Sequence, residues 1–103
     1  MATVNPGIQI PPGTIEAFCK KWHLVELALF GSAVRDDFRP DSDVDVMVRF
    51  ESGGRPRLFG LVDMQLELEE IFGRPVDLVE YGTIENPFRR SSIMSQLAVL
   101  YAA

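Results

Sequence analysis

The feature that most restricts the fold is the run from Val44 to Glu80: an alternating apolar strand, a helix-spaced row of apolar residues, and a second short apolar strand. In Val44 to Phe50, Val44, Val46 and Val48 share one face while Asp43, Asp45, Met47 and Arg49 take the other, the period-two pattern of a strand with a core beneath it. Glu51 to Pro56 holds Ser52, Gly53, Gly54 and Pro56 and reads as a loop. After it, Leu58, Leu61, Met64, Leu68, Ile71 and Phe72 recur at helical spacing, with Asp63, Glu67, Glu69 and Glu70 assigned to the solvent side and Gly73 as the stop. Val76 to Glu80 is the next strand. Parallel neighbours need a crossover of a dozen or more residues, and this helix supplies one, so the two strands are expected to lie parallel in an α/β fold.

The rest of the chain completes a small α/β sandwich. Thr14 is expected to N-cap a helix carrying Ile15, Phe18, Cys19 and Trp22 and ending near His23. Leu24 to Phe30 is short, apolar and stopped by Gly31, which suits a mostly buried strand. Pro87 to Gln96 reads as a final helix with Pro at an early position, and Ala98 to Tyr101 either extends it or forms a short edge strand. Pro6, Gly7, Pro11, Pro12 and Gly13 make residues 1–13 an N-terminal arm, with the domain expected over 14–103. A chain of 103 residues, 47% of them hydrophobic, holds one domain with one core.

Charge and cysteine usage remove several function classes. Ten Lys and Arg against fifteen Asp and Glu give a net charge of −5, so no global positive field draws the chain onto extended nucleic acid or anionic lipid. A single cysteine, Cys19, and a single histidine, His23, cannot build a disulfide framework or a zinc site. Met1 to Pro12 has neither a positive n-region nor a long apolar run, and no segment approaches the roughly 18 apolar residues of a membrane span, so a cytoplasmic chain is expected.

The chemistry is concentrated in Gly31 to Val48. Gly31 and Ser32 end a buried strand and open a helical turn, where free backbone N–H groups and a hydroxyl can take phosphate oxygens. Asp43 and Asp45, two apart on a strand, point to the same face, and their mutual repulsion is relieved by a divalent cation. Asp77, between the core-facing Val76 and Leu78, faces as Asp45 does. These groups converge on one sheet edge if the first strand runs antiparallel to the second and the second parallel to the third. Carboxylates on rigid strands beside a phosphate-binding turn suit a Mg²⁺-dependent phosphoryl or nucleotidyl transferase, with two ions about 3.5 to 4 Å apart on an in-line displacement.

Gly31-Ser32, Arg35, Ser42-Asp43-Val44-Asp45 and Asp77 resemble the pattern of the DNA polymerase beta-like nucleotidyltransferases, in particular the minimal nucleotidyltransferases (MNT). The likeness spans Leu24 to about Tyr101. It implies a small mixed sheet flanked by helices, and transfer of a nucleoside monophosphate from a triphosphate, ATP, to a hydroxyl. It further implies two Mg²⁺ ions and pairing with a helical HEPN ribonuclease. In that pairing, of the type VII toxin–antitoxin kind, the MNT chain is the antitoxin and adenylylates a tyrosine of the toxin. Carried over, Gly31, Ser32, Arg35 and Ser42 bind the phosphates, and Asp43, Asp45 and Asp77 ligate metal. Asp77 also helps to deprotonate the acceptor. Asp36 stands where many of these proteins have Gly after the Arg.

Other readings of the acidic run fail. An EF-hand starting at Asp41 would need Gly where Val46 stands and Glu where Ser52 stands. An aspartyl-phosphatase Asp-x-Asp closes an apolar strand, whereas this one opens its strand after Arg39-Pro40-Asp41-Ser42. Three activities stay open: a protein adenylyltransferase, a steric antitoxin with the same fold and an idle metal site, and a nucleotidyltransferase for small molecules such as antibiotics. A chain this short leaves no room for an acceptor domain of its own, which predicts that a partner supplies the acceptor.

Overall fold

The computed structural model describes residues 8, 10–34, 42–82, 86–94 and 96–103. The order is α1 (Thr14–Lys21), β1 (Leu24–Phe30), a single 3₁₀ turn (Gly31–Val34), β2 (Val44–Phe50), α2 (Leu58–Phe72), β3 (Val76–Glu80), α3 (Pro87–Met94) and β4 (Ala98–Ala102). The four strands form one sheet in the order β3-β2-β1-β4. β1 is antiparallel to both β2 and β4, while β2 and β3, joined through α2, run parallel. The mixed sheet expected from the crossover is therefore the one observed. The alternative left at Ala98 resolves as a strand, which shields the second side of β1 through the pairs Ala28 with Val99 and Leu29 with Ala98.

The core lies between one face of the sheet and helices α1 and α2. Leu27 and Leu29 from β1 and Val44, Val46 and Val48 from β2 meet Phe18 and Cys19 of α1 and Met64 and Leu68 of α2, all nearly inaccessible to solvent. Burial of each such side chain contributes about 1.5 to 3 kcal/mol. Ile8 and Ile10 of the arm pack against the same cluster, as does half-buried Tyr101. The opposite face of β2 is not wholly polar: Met47 is as buried as its valine neighbours, beside Ala28 and Phe30 of β1.

Two local expectations are corrected. Thr14 is not the cap of α1 but its first helical residue; Gly13, in the left-handed conformation, is the cap and makes no side-chain hydrogen bond. The Pro11-Pro12-Gly13 turn decides this, because the Gly13 carbonyl already accepts the Ala17 N–H at 3.1 Å and so takes the helix-opening position. Leu58, placed by spacing on the core face of α2, is 71% exposed. It lies in the first turn and lines an open groove against β3 instead. His23 turns the chain from α1 into β1 with a positive φ of 58°, and Gly73, at φ 70°, ends α2 as its spacing predicts.

Candidate active site at the sheet edge

Register, rather than chain proximity, assembles the site. Phe30 lies opposite Asp45 on the antiparallel side, and Asp77 lies opposite Asp45 on the parallel side. Gly31, the residue after Phe30, therefore opens its 3₁₀ turn directly beside Asp45. Adjacent strands are about 4.8 Å apart, so Asp45 and Asp77 stand side by side on one face. Asp43, two residues earlier and about 6.6 Å along the chain, takes the same side just ahead of the strand. Asp45 is half-buried, whereas Asp43 and Asp77 are exposed. The three carboxylates thus form a corner, one step along β2 and one step across to β3. Among the described residues no group of three or more His, Cys, Asp or Glu could hold a metal ion as it stands.

Gly31 is fixed by two independent constraints. Its φ is +65°, a conformation L-residues enter at a cost. A Cβ at this position would overlap Oδ2 of Asp45 and stand 3.1 Å from its Cγ. The turn and the carboxylate are in contact because no side chain separates them.

The start of β3 is anchored from outside the motif. The Val76 N–H donates to the Glu69 carboxylate of α2 at 3.0 Å, and the Val44 N–H donates to the Pro75 carbonyl at 2.9 Å. An Arg74 N–H reaches the Ser42 carbonyl at 3.5 Å. These bonds hold the segments that carry Asp43, Asp45 and Asp77 against one another. Spacing alone had assigned Glu67 and Glu69 to a solvated helix face. Instead Glu69 caps the incoming strand and Glu67 accepts from Lys21 and from the Trp22 indole, each at 3.0 Å. No local signal marks either role, since both depend on what α2 packs beside.

Farther along the same sheet face, the Arg49 guanidinium lies 4.5 Å from the Tyr81 ring centroid. Burial, and then the neighbouring Glu26 carboxylate, push the Tyr81 phenol far above its ordinary range, against the opposing pull of Arg49. Of the residues the sequence nominates, Gly31, Ser42, Asp43, Asp45 and Asp77 fall at this edge. Arg35, Asp36 and the side chain of Ser32 lie outside the described residues.

The fold has counterparts among known proteins. The family described as Nucleotidyltransferase domain matches residues 13–100. A chain of Methanocaldococcus jannaschii named "Putative protein adenylyltransferase MJ1379" is 35% identical over 77 residues, covering 75% of this chain and 77% of its own. The solved structure of a "putative minimal nucleotidyltransferase" superposes with a TM-score of 0.66 at 31% identity, over 82% of this chain and 83% of that one. A chain from the toxin–antitoxin complex MntA-HpeT superposes with a TM-score of 0.71 over 91% of this chain and 75% of that one; at 16% identity it shares the fold. The family match takes in β1 to β3, the start of β4 and every nominated residue, and the chain belongs to the nucleotidyltransferases, in their minimal branch.

Proposed function

We propose that this nucleotidyltransferase is a Mg²⁺-dependent protein adenylyltransferase. It would act as the antitoxin of a type VII-like pair, moving AMP from ATP to a hydroxyl, a tyrosine, of a HEPN ribonuclease. The observation that carries the reading is the register that sets Asp77 beside Asp45, with Gly31 in contact with Asp45. Similarity to a protein named for protein adenylylation and to a toxin–antitoxin chain supports the choice of acceptor class.

The donor set at the edge is all oxygen, which fits Mg²⁺, an ion commonly held by one or two carboxylates with water and substrate phosphates completing its octahedron. The open corner of carboxylates suits such a site, which the nucleotide would complete. Asp43, Asp45 and Asp77 would hold the metal, two ions in the full assignment. Bound there, it would neutralise phosphate charge and stabilise the attacking and leaving oxygens.

The chain's own residues perform the rest. Backbone N–H groups of the Gly31-Ser32 turn bind the β and γ phosphates, with Ser32, Ser42 and Arg35 as further contacts. Asp77 lies on the exposed side of the corner and receives the acceptor proton. The hydroxyl oxygen then bonds to the α-phosphorus, the bond to the β-phosphate oxygen breaks, and pyrophosphate leaves. Seated on paired strands, these groups would be held in fixed relation for an in-line displacement.

The test is co-purification of this chain with its helical partner and incubation with ATP and Mg²⁺. Intact-mass measurement should show addition of AMP to the partner, and Asp43→Ala with Asp45→Ala should abolish it without loss of the fold. Undiminished labelling by that variant sinks the proposal. Should the variant still suppress partner toxicity while labelling is lost, neutralisation is steric.

A further inference from the structure

Helix α2 presents an apolar surface that the core does not use. Leu58, Phe59, Val62 and Leu66 are 71%, 83%, 47% and 56% exposed, and spacings of three and four place them on one stripe. Met64 and Leu68, on the other side, carry the packing against the sheet. A helix apolar on two sides is ordinarily covered on both. Beside the stripe runs an open groove of 370 Å³ lined by Leu58, Leu61, Val62, Leu78 and Val79 and by Glu80, whose carboxylate is bound to Arg55 at 2.7 Å. Its far wall is β3, an edge strand, near the end remote from Asp77. Along the other border, Asp63, Glu67 and Glu70 line an acidic depression with Leu66. The cation in it, Lys21, is already bound to Glu67 at 3.0 Å.

We propose that this surface docks an amphipathic helix whose apolar stripe is flanked by Lys or Arg. Charge selects that occupant. A second copy packed antiparallel would set one acidic row against the other, on chains that each carry −5. A basic-flanked helix instead neutralises Asp63 and Glu70 while its apolar residues fill the groove, the usual helix-in-groove arrangement. The inference stands on α2 and β3 alone and is independent of the nucleotidyl-transfer reading.

The experiment titrates the isotope-labelled full chain with two synthetic helical peptides of identical apolar stripe, one flanked by Lys and one by Glu. The Lys peptide is expected to shift the amide signals of residues 58–70 and 78–80 saturably, and the Glu peptide to leave them unmoved. The pair Asp63→Lys and Glu70→Lys, both exposed positions, should weaken the Lys peptide about tenfold with an unchanged circular dichroism spectrum. Shifts centred elsewhere, equal binding of both peptides, or sedimentation showing that the chain dimerises through this stripe would each overturn the proposal.

Discussion

At the scale of single residues, Gly31 carries more of the site than its size suggests. Its positive φ and its contact with the Asp45 carboxylate are separate demands, and alanine fails both. Gly31→Ala is expected to cost roughly 1 to 2 kcal/mol in urea unfolding. It should also displace Asp45 enough to slow AMP transfer about 10²-fold, read in single-turnover assays. A variant that transfers at the full rate would show that Gly31 only makes the turn. The sequence announced the glycine as a strand stop and phosphate turn. Its partnership with Asp45 was not legible, because it depends on the pairing of Phe30 with a residue 15 positions away. Asp77 was legible as a neighbour of Asp45 because parity along a strand is a local property, and the crossover fixed the direction of pairing.

At the scale of elements, α2 both supplies the crossover and fastens the strand it leads to. Its last turn ends at Gly73, and Glu69, one turn earlier, accepts the first N–H of β3. Glu69→Ala leaves that N–H without its partner, at an expected cost of about 1 to 3 kcal/mol. It should also lower the transfer rate through Asp77 with little change in the apparent affinity for ATP. Glu69→Gln keeps an acceptor oxygen and is expected to restore most of the rate; equal loss in both variants would reduce Glu69 to a stabilising role. Periodicity placed β1, β2, α2 and β3 at their observed limits, since apolar spacing reports the face an element buries, and left Ala98 to Tyr101 open between helix and strand. It misassigned Thr14, Leu58, Glu67 and Glu69 for one shared reason: what a helix-surface residue touches depends on the neighbouring turn or strand.

For the whole molecule, Cys19 and Tyr81 are held protonated by the fold and lower stability at alkaline pH. Burial pushes the Cys19 thiol from 9.0 up to about 12, and the Tyr81 phenol is raised from its ordinary 10.0. The unfolded chain releases these protons at lower pH than the folded one, so stability is complete below about pH 9 and declines as pH rises from there toward 12. Denaturant titrations at stepped pH should show the decline, with Cys19→Ala flattening its first part between pH 9 and 10; an unaltered slope in that variant would contradict the assignment. By itself the sequence determined the helices, β1 to β3, the α/β class, the parallel crossover and the shared facing of Asp45 and Asp77, because these follow from side-chain period and chain connectivity. Only the tertiary structure decided that Gly31 touches Asp45, that Glu69 holds β3, that β4 closes the sheet beside β1, and that α2 keeps a second apolar face. Each of these is a meeting of segments distant in the chain, set by strand register and packing, which local pattern does not encode.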